Sequence, residues 1–151
     1  MRSGLGSNNI STEKLVITTA LPTVTNVVNV ASGTNVGLSG STTTVSISGT
    51  GFFGGTAPKV QDVRAIRLVG VLGSPTTNIA SWGSVSGDDA SGTIANVIVP
   101  PGVARGTYDV RVSNGSGENL TSTVKYVCNS TVLLSVAPQQ AGCDTNTLVE
   151  L

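Results

Sequence analysis

The chain of 151 residues holds eight basic and eight acidic residues and no histidine, with 38% apolar, 11% charged and 3% aromatic residues and 19 glycines. Its charged fraction is less than half the roughly 25% of ordinary domains, so the surface must be built from Ser, Thr, Asn and Gly, and zero net charge leaves no global attraction to nucleic acid or an anionic membrane. Lack of histidine removes the commonest general base and metal ligand, and no stretch approaches the roughly 18 apolar residues of a membrane span.

In chain order, residues 1 to 21 read as an arm: a Gly-, Ser- and Asn-rich start, the apolar piece Leu15-Val16-Ile17, then Pro22. Strands are expected at about 23–30, through Val24, Val27, Val28 and Val30, and at 42–48, where Thr43, Val45 and Ile47 alternate with Thr44, Ser46 and Ser48. A turn-forming segment, 33–41, separates them. The glycines of 49–55 break the second strand, and one of the chain's two phenylalanines, Phe52 or Phe53, is expected to plug the end of the core. A long apolar strand is expected within 59–72, another over 76–85 that includes Ile79 and Trp82, and another over 93–99.

The clearest pattern follows. Tyr108, Val110 and Val112 alternate with Asp109 and Arg111, as in a strand with one buried side. Asn114-Gly115 is expected to supply the positive backbone angles of a tight turn into a partner strand at 119–127, with Leu120, Ser122, Val124 and Tyr126 on one face. Residues 131–136 form a last apolar piece and 138–151 a tail. Strands roughly every ten residues with Gly-rich turns, and no amphipathic helix, predict an all-β sandwich.

Few residues suggest chemistry. Asp88-Asp89 is the one adjacent acidic pair, too few oxygens for calcium, and reads as a solvated turn. Ser11-x-x-Lys14 lacks the helix and partner motifs of a nucleophile site, and Lys59, Arg64 and Arg67 are too few and too short of aromatics for a nucleic-acid surface. Trp82 is expected to pack in a core or interface rather than stack on sugar. Four glycan acceptor patterns, at Asn9, Asn114, Asn119 and Asn129, are the number chance supplies in so Asn-, Ser- and Thr-rich a chain. Cys128 and Cys143 have fourteen residues between them, a spacing open to a disulfide or to two independent thiols. No catalytic, cofactor or metal residue is assigned, and no cofactor is expected.

The order of Pro22, Thr43-Thr44-Val45-Ser46-Ile47-Ser48-Gly49-Thr50-Gly51-Phe52, Val97-Ile98-Val99-Pro100-Pro101 and Gly106-Thr107-Tyr108-Asp109-Val110-Arg111-Val112 resembles the IPT/TIG family of immunoglobulin-like domains over about residues 22–128. The resemblance implies an all-β, immunoglobulin-like β-sandwich of the E-set type, a scaffold rather than a chemistry. Such domains occur in cell-surface receptors, bacterial surface proteins, accessory modules of carbohydrate-active enzymes, phage structural proteins and some transcription factors.

The chain thus divides into an arm at 1–21, a sandwich at 22–128 and an extension at 129–151. Arm and tail bury too little apolar surface to order alone, so their expected partners are other copies of the chain or a larger assembly. Leu15, Val16, Ile17, Val132 and Leu134 are the expected docking residues. Low net charge, which weakly opposes association, fits a multi-copy virion decoration or cement protein at the virion surface, with neither nucleic acid nor membrane as partner. The alternative is a bacterial cell-surface or extracellular adhesion module, with a carbohydrate ligand left open.

Overall fold

The computed structural model describes residues 20–55 and 58–130, and twelve strands run through them without a helix. They are β1 Thr23–Asn29, β2 Val36–Leu38, β3 Thr43–Thr50, β4 Phe53–Gly54, β5 Val60–Gln61, β6 Ala65–Gly70, β7 Thr77–Ile79, β8 Val85–Gly87, β9 Gly92–Val99, β10 Gly106–Asn114, β11 Gly117–Glu118 and β12 Tyr126–Asn129. One sheet has the order β1-β3-β9-β8; the second has β2-β12-β10-β6-β7, with β11 on β10; β4 and β5 form a small ribbon. All pairs are antiparallel except β2 with β12, where Val36, Gly37 and Leu38 lie opposite Val127, Cys128 and Asn129.

Alternation decides which side chains enter the core. In β3, Thr43, Val45, Ile47 and Gly49 point inward, and in β10 Tyr108, Val110 and Val112 do, as the sequence predicts. They meet Val24, Val27, Ile66, Leu68, Ile94, Val97 and Val99 in one apolar layer between the sheets. Asp109, on the outer face of β10, is also buried: its Oδ1 accepts from the Ser122 backbone N–H at 2.8 Å and pairs with Lys125 Nζ at 2.9 Å. Burial alone would raise its pKa; the Lys125 ammonium and the Ser122 N–H outweigh that and hold the carboxyl below its usual value.

Three expected strands differ in the structure. The 59–72 strand is broken into β5 and β6 because Asp62 to Arg64 is tied elsewhere: the Asp62 N–H donates to Phe52 O and the Arg64 N–H to Ser113 O, each at 2.8 Å. Val71 and Leu72 fall in a turn, and Leu72 is 93% exposed. The 76–85 strand divides between the sheets, β7 pairing with β6 and β8 with β9. The partner arm expected at 119–127 is a strand only from Tyr126 onward. Over the missing length, side chains replace backbone: Asn119 Oδ1 accepts from the Val112 N–H at 2.7 Å, Asn119 Nδ2 donates to Val110 O at 3.0 Å, and Ser122 Oγ accepts from the Val110 N–H at 3.0 Å. The turn differs as well. Neither Asn114 nor Gly115 has a positive φ; instead Asn114 Oδ1 accepts from the N–H groups of Ser116 and Gly117 at 2.8 and 3.1 Å.

Two buried tyrosines show opposite states of satisfaction. The Tyr108 hydroxyl donates to Ala104 O at 2.6 Å, pinning the start of β10 to the preceding loop. The Tyr126 hydroxyl is buried with no hydrogen-bond partner, under Gly37, where any Cβ would collide with it. Burial raises its pKa; the adjacent Thr43 hydroxyl acts in the opposite sense without meeting hydrogen-bond geometry. Tyr108→Phe is therefore expected to cost about 1 kcal/mol in urea denaturation, while Tyr126→Phe, which removes an unpaired buried hydroxyl, costs nothing or stabilises. Equal losses in the two variants would contradict this pairing.

Candidate functional site

Among the described residues the features that stand out on the surface are exposed apolar groups, and these locate a candidate contact surface. Strand direction gives the molecule two ends. At the arm end, Asn114 closes β10 and its Nδ2 donates to Ala20 O at 2.7 Å and to Gly51 O at 2.9 Å. At the tail end, Gly106 opens β10 opposite Cys128, and Ser130 receives a 3.4 Å hydrogen bond from Arg105 Nη1. The large exposed apolar residues among those described divide between these ends: Leu21, Val60 and Leu120 at the first, Val30, Leu38, Val71 and Leu72 at the second. Exposed apolar residues mark a contact surface where they adjoin, as Val30 and Leu38 do in lining one groove.

The tail end is also concave. A groove of about 640 Å³ lies between the end of β1, the whole of β2 and the start of β3, on the flank where the two sheets' edge strands β1 and β2 come together. Val30, Val36 and Leu38 supply its apolar surface, Ser41, Thr42 and Thr44 its hydroxyls, and no charged residue lines it. Asn29 shapes the rim: its Nδ2 donates to Val36 O at 2.7 Å and its Oδ1 accepts from the Ala31 N–H at 2.9 Å. Such a lining suits an uncharged apolar segment and contains no titratable side chain. The first half of the β1 edge is covered, because the Thr123 N–H donates to Val24 O at 2.9 Å beside a parallel bridge between Val24 and Ser122. The groove opens along the second half.

Charge is arranged differently. Arg67 makes a two-pronged pair with Glu118, both contacts 2.9 Å, Arg64 pairs with Asp62 at 2.6 Å and Lys59 with Asp89. The three cations read from the sequence as a small basic cluster are thus each neutralised by a carboxylate. Lys59 holds the Asp89 carboxyl below the ordinary range. Asp88 Oδ1 accepts from the N–H groups of Ala90 and Ser91, both at 2.9 Å, which makes the acidic pair a turn device. No cluster of three or more His, Cys, Asp or Glu suited to a metal occurs among the described residues.

The docking residues expected from the sequence, Leu15, Val16, Ile17, Val132 and Leu134, lie outside the described residues, as does Cys143. Cys128 is buried in β12, its Sγ 3.4 Å from Val103 O, and burial pushes its thiol pKa up. Trp82 is half-buried against the core, and Phe52, of the two phenylalanines, is the one fully enclosed. Asn114 and Asn119 are buried with their amide nitrogens engaged, so neither side chain is presented to an enzyme that would glycosylate it. Sequence reading took Asn114 as a turn residue and Ser122 as a strand residue and missed the backbone bonding that Asn114, Asn119 and Ser122 do, because their partners lie in segments that local pattern does not identify. No protein-family model, curated protein or solved structure matches this chain.

Proposed function

We propose that this protein is a non-enzymatic structural module: an immunoglobulin-like sandwich that acts in many copies as a virion decoration or cement protein, docking through its terminal extensions. One observation carries the reading. Large exposed apolar side chains lie at the two ends of the sandwich, where the arm and the tail depart, while between those ends Arg64, Arg67 and Lys125 are each paired with a carboxylate, Asp62, Glu118 and Asp109. The immunoglobulin-like assignment draws support from the sheet orders β1-β3-β9-β8 and β2-β12-β10-β6-β7 and from the Tyr108 hydroxyl bonded back to the loop before its strand, an arrangement known in such sandwiches as a tyrosine corner. The IPT/TIG resemblance rests on the same strands.

The sandwich serves as a rigid spacer and the extensions supply adhesion by strand pairing and apolar contact. The full chain is expected to self-associate or to incorporate into a particle shell. Replacing Leu15 and Ile17 together with aspartate is expected to reduce that binding at least about a hundredfold, since each removes roughly 1.5–3 kcal/mol of apolar burial, and the unfolding transition should not move. Mass by light scattering over a range of concentrations, together with particle binding, checks this. A protein monomeric throughout that no particle retains would end the reading.

A further inference from the structure

We infer that the uncharged groove between β1, β2 and β3 is the seat of the chain's own segment 131–136, so that the tail closes the flank of the sandwich from which it departs. Unlike the reading above, this concerns a single chain and holds whether or not the protein assembles. Register comes first. Asn129, at the end of β12, lies directly opposite Leu38, and the Ser39 N–H donates to Asn129 O at 2.8 Å, so the chain leaves the described structure one strand spacing from a residue that lines the groove.

Reach separates the two extensions. Two strand spacings, about 10 Å, bring the chain from Ser130 across β2 to the groove, a distance about three residues cover, which delivers Val132 to Leu134. The arm's apolar piece cannot arrive there within the same molecule. Ala20 is held by Asn114 at the opposite end, β3 from Thr50 to Thr43 spans about 24 Å, and Leu15 stands five residues before Ala20, at most about 18 Å of chain.

Chemistry agrees with reach. The segment Thr131-Val132-Leu133-Leu134-Ser135-Val136 alternates so that Val132, Leu134 and Val136 share one face, and no charged residue occurs from 129 until Asp144. The groove offers Val30 and Leu38, 60% and 44% exposed, and no charge. Such a segment would cover Val30 and Leu38 by side-chain contact and not by extending a sheet, because the outward backbone groups of Asn29 and Val36 are already bonded, to Thr34 O, the Gly33 N–H and Asn29 Nδ2. With Val132 and Leu134 so engaged, the docking proposed above falls to the arm alone, through Leu15, Val16 and Ile17.

Amide hydrogen exchange on the full-length chain tests this directly. Residues 131–136 are expected to exchange at least about tenfold more slowly than an unstructured peptide of the same sequence, independently of protein concentration. Leu38→Asp should abolish that protection while exchange in β10 and β9 stays as in the parent. Should Leu38→Asp loosen the sandwich itself, Val132→Asp in the tail provides the second arm, with loss of protection at 131–136 and faster exchange at Gly37 and Leu38. Unprotected exchange of 131–136 in the parent chain would overturn the proposal. So would protection that disappears on dilution, which would assign the groove to another copy, or protection indifferent to both substitutions.

Discussion

Phe52→Ala is expected to lower the free energy of unfolding by about 3–5 kcal/mol, near the upper end for a buried aromatic. The ring is fully enclosed and sits against two glycines: a Cβ on Gly49 or on Gly92 would come within 2.9 Å of it. Those glycines are Cα partners across the β3–β9 ladder. Two facing residues without side chains leave a hole in the inner surface of the sheet, and the ring fills it. Because the hole is floored by paired backbone, it cannot collapse when the ring is removed, so transfer and cavity terms both count. Against a total stability of 5–15 kcal/mol for a typical domain, the variant loses a third or more. Urea unfolding measures it, with Phe53→Ala, only half-buried, expected to lose under about 2 kcal/mol. Similar losses for the two would show that Phe52 is not the plug.

Asn114→Asp is the second large effect, about 3–5 kcal/mol at neutral pH. The side chain is 5% exposed, and its amide is used fully: Nδ2 serves the carbonyls of Ala20 and Gly51, and Oδ1 serves the N–H groups of Ser116 and Gly117. Aspartate keeps the acceptor and turns the donor into an anionic oxygen against two carbonyl oxygens. Burial and those carbonyls favour the protonated acid, so its folded pKa rises above its unfolded value. The sign follows: the folded variant binds the extra proton, and its deficit against the parent grows as pH rises from about 4 and shrinks on acidification. Asn114→Ala, without the charge, should lose less at neutral pH and show no such dependence. Denaturation of the three proteins at pH 4 and pH 7 decides it; a pH-independent deficit in Asn114→Asp would mean that water reaches the site. The result bears on the proposed docking because Asn114 holds Ala20, next to the arm, at the end of β10.

Much of the framework is written locally. Alternation over Thr43 to Gly49 and Tyr108 to Val112 is a property of consecutive residues, and each strand presents to the core the face its pattern predicts. The all-β class, the enclosure of one phenylalanine and the half-buried packing of Trp82 follow equally from what lies near each residue in the chain. What depends on distant partners is not legible. Leu120, Ser122 and Val124 alternate like a strand, yet Leu120 is 73% exposed, because Asn119 and Ser122 meet the backbone of β10 with side-chain groups while the main chain at Thr123 pairs with Val24 of β1 instead. Asn114-Gly115 has the composition of a positive-φ turn, but Asn114 spends its amide on Ala20 and Gly51, 94 and 63 residues away. The groove, too, exists because β1 and β2, joined by a short loop, enter different sheets and become neighbouring edges. Composition and periodicity alone determined that this chain is a sandwich with a low-charge surface. Which flank carries the groove, at which end each extension departs and which asparagine bonds the most distant segments were decided by tertiary structure, since hydrogen-bond demand is settled between segments far apart in sequence.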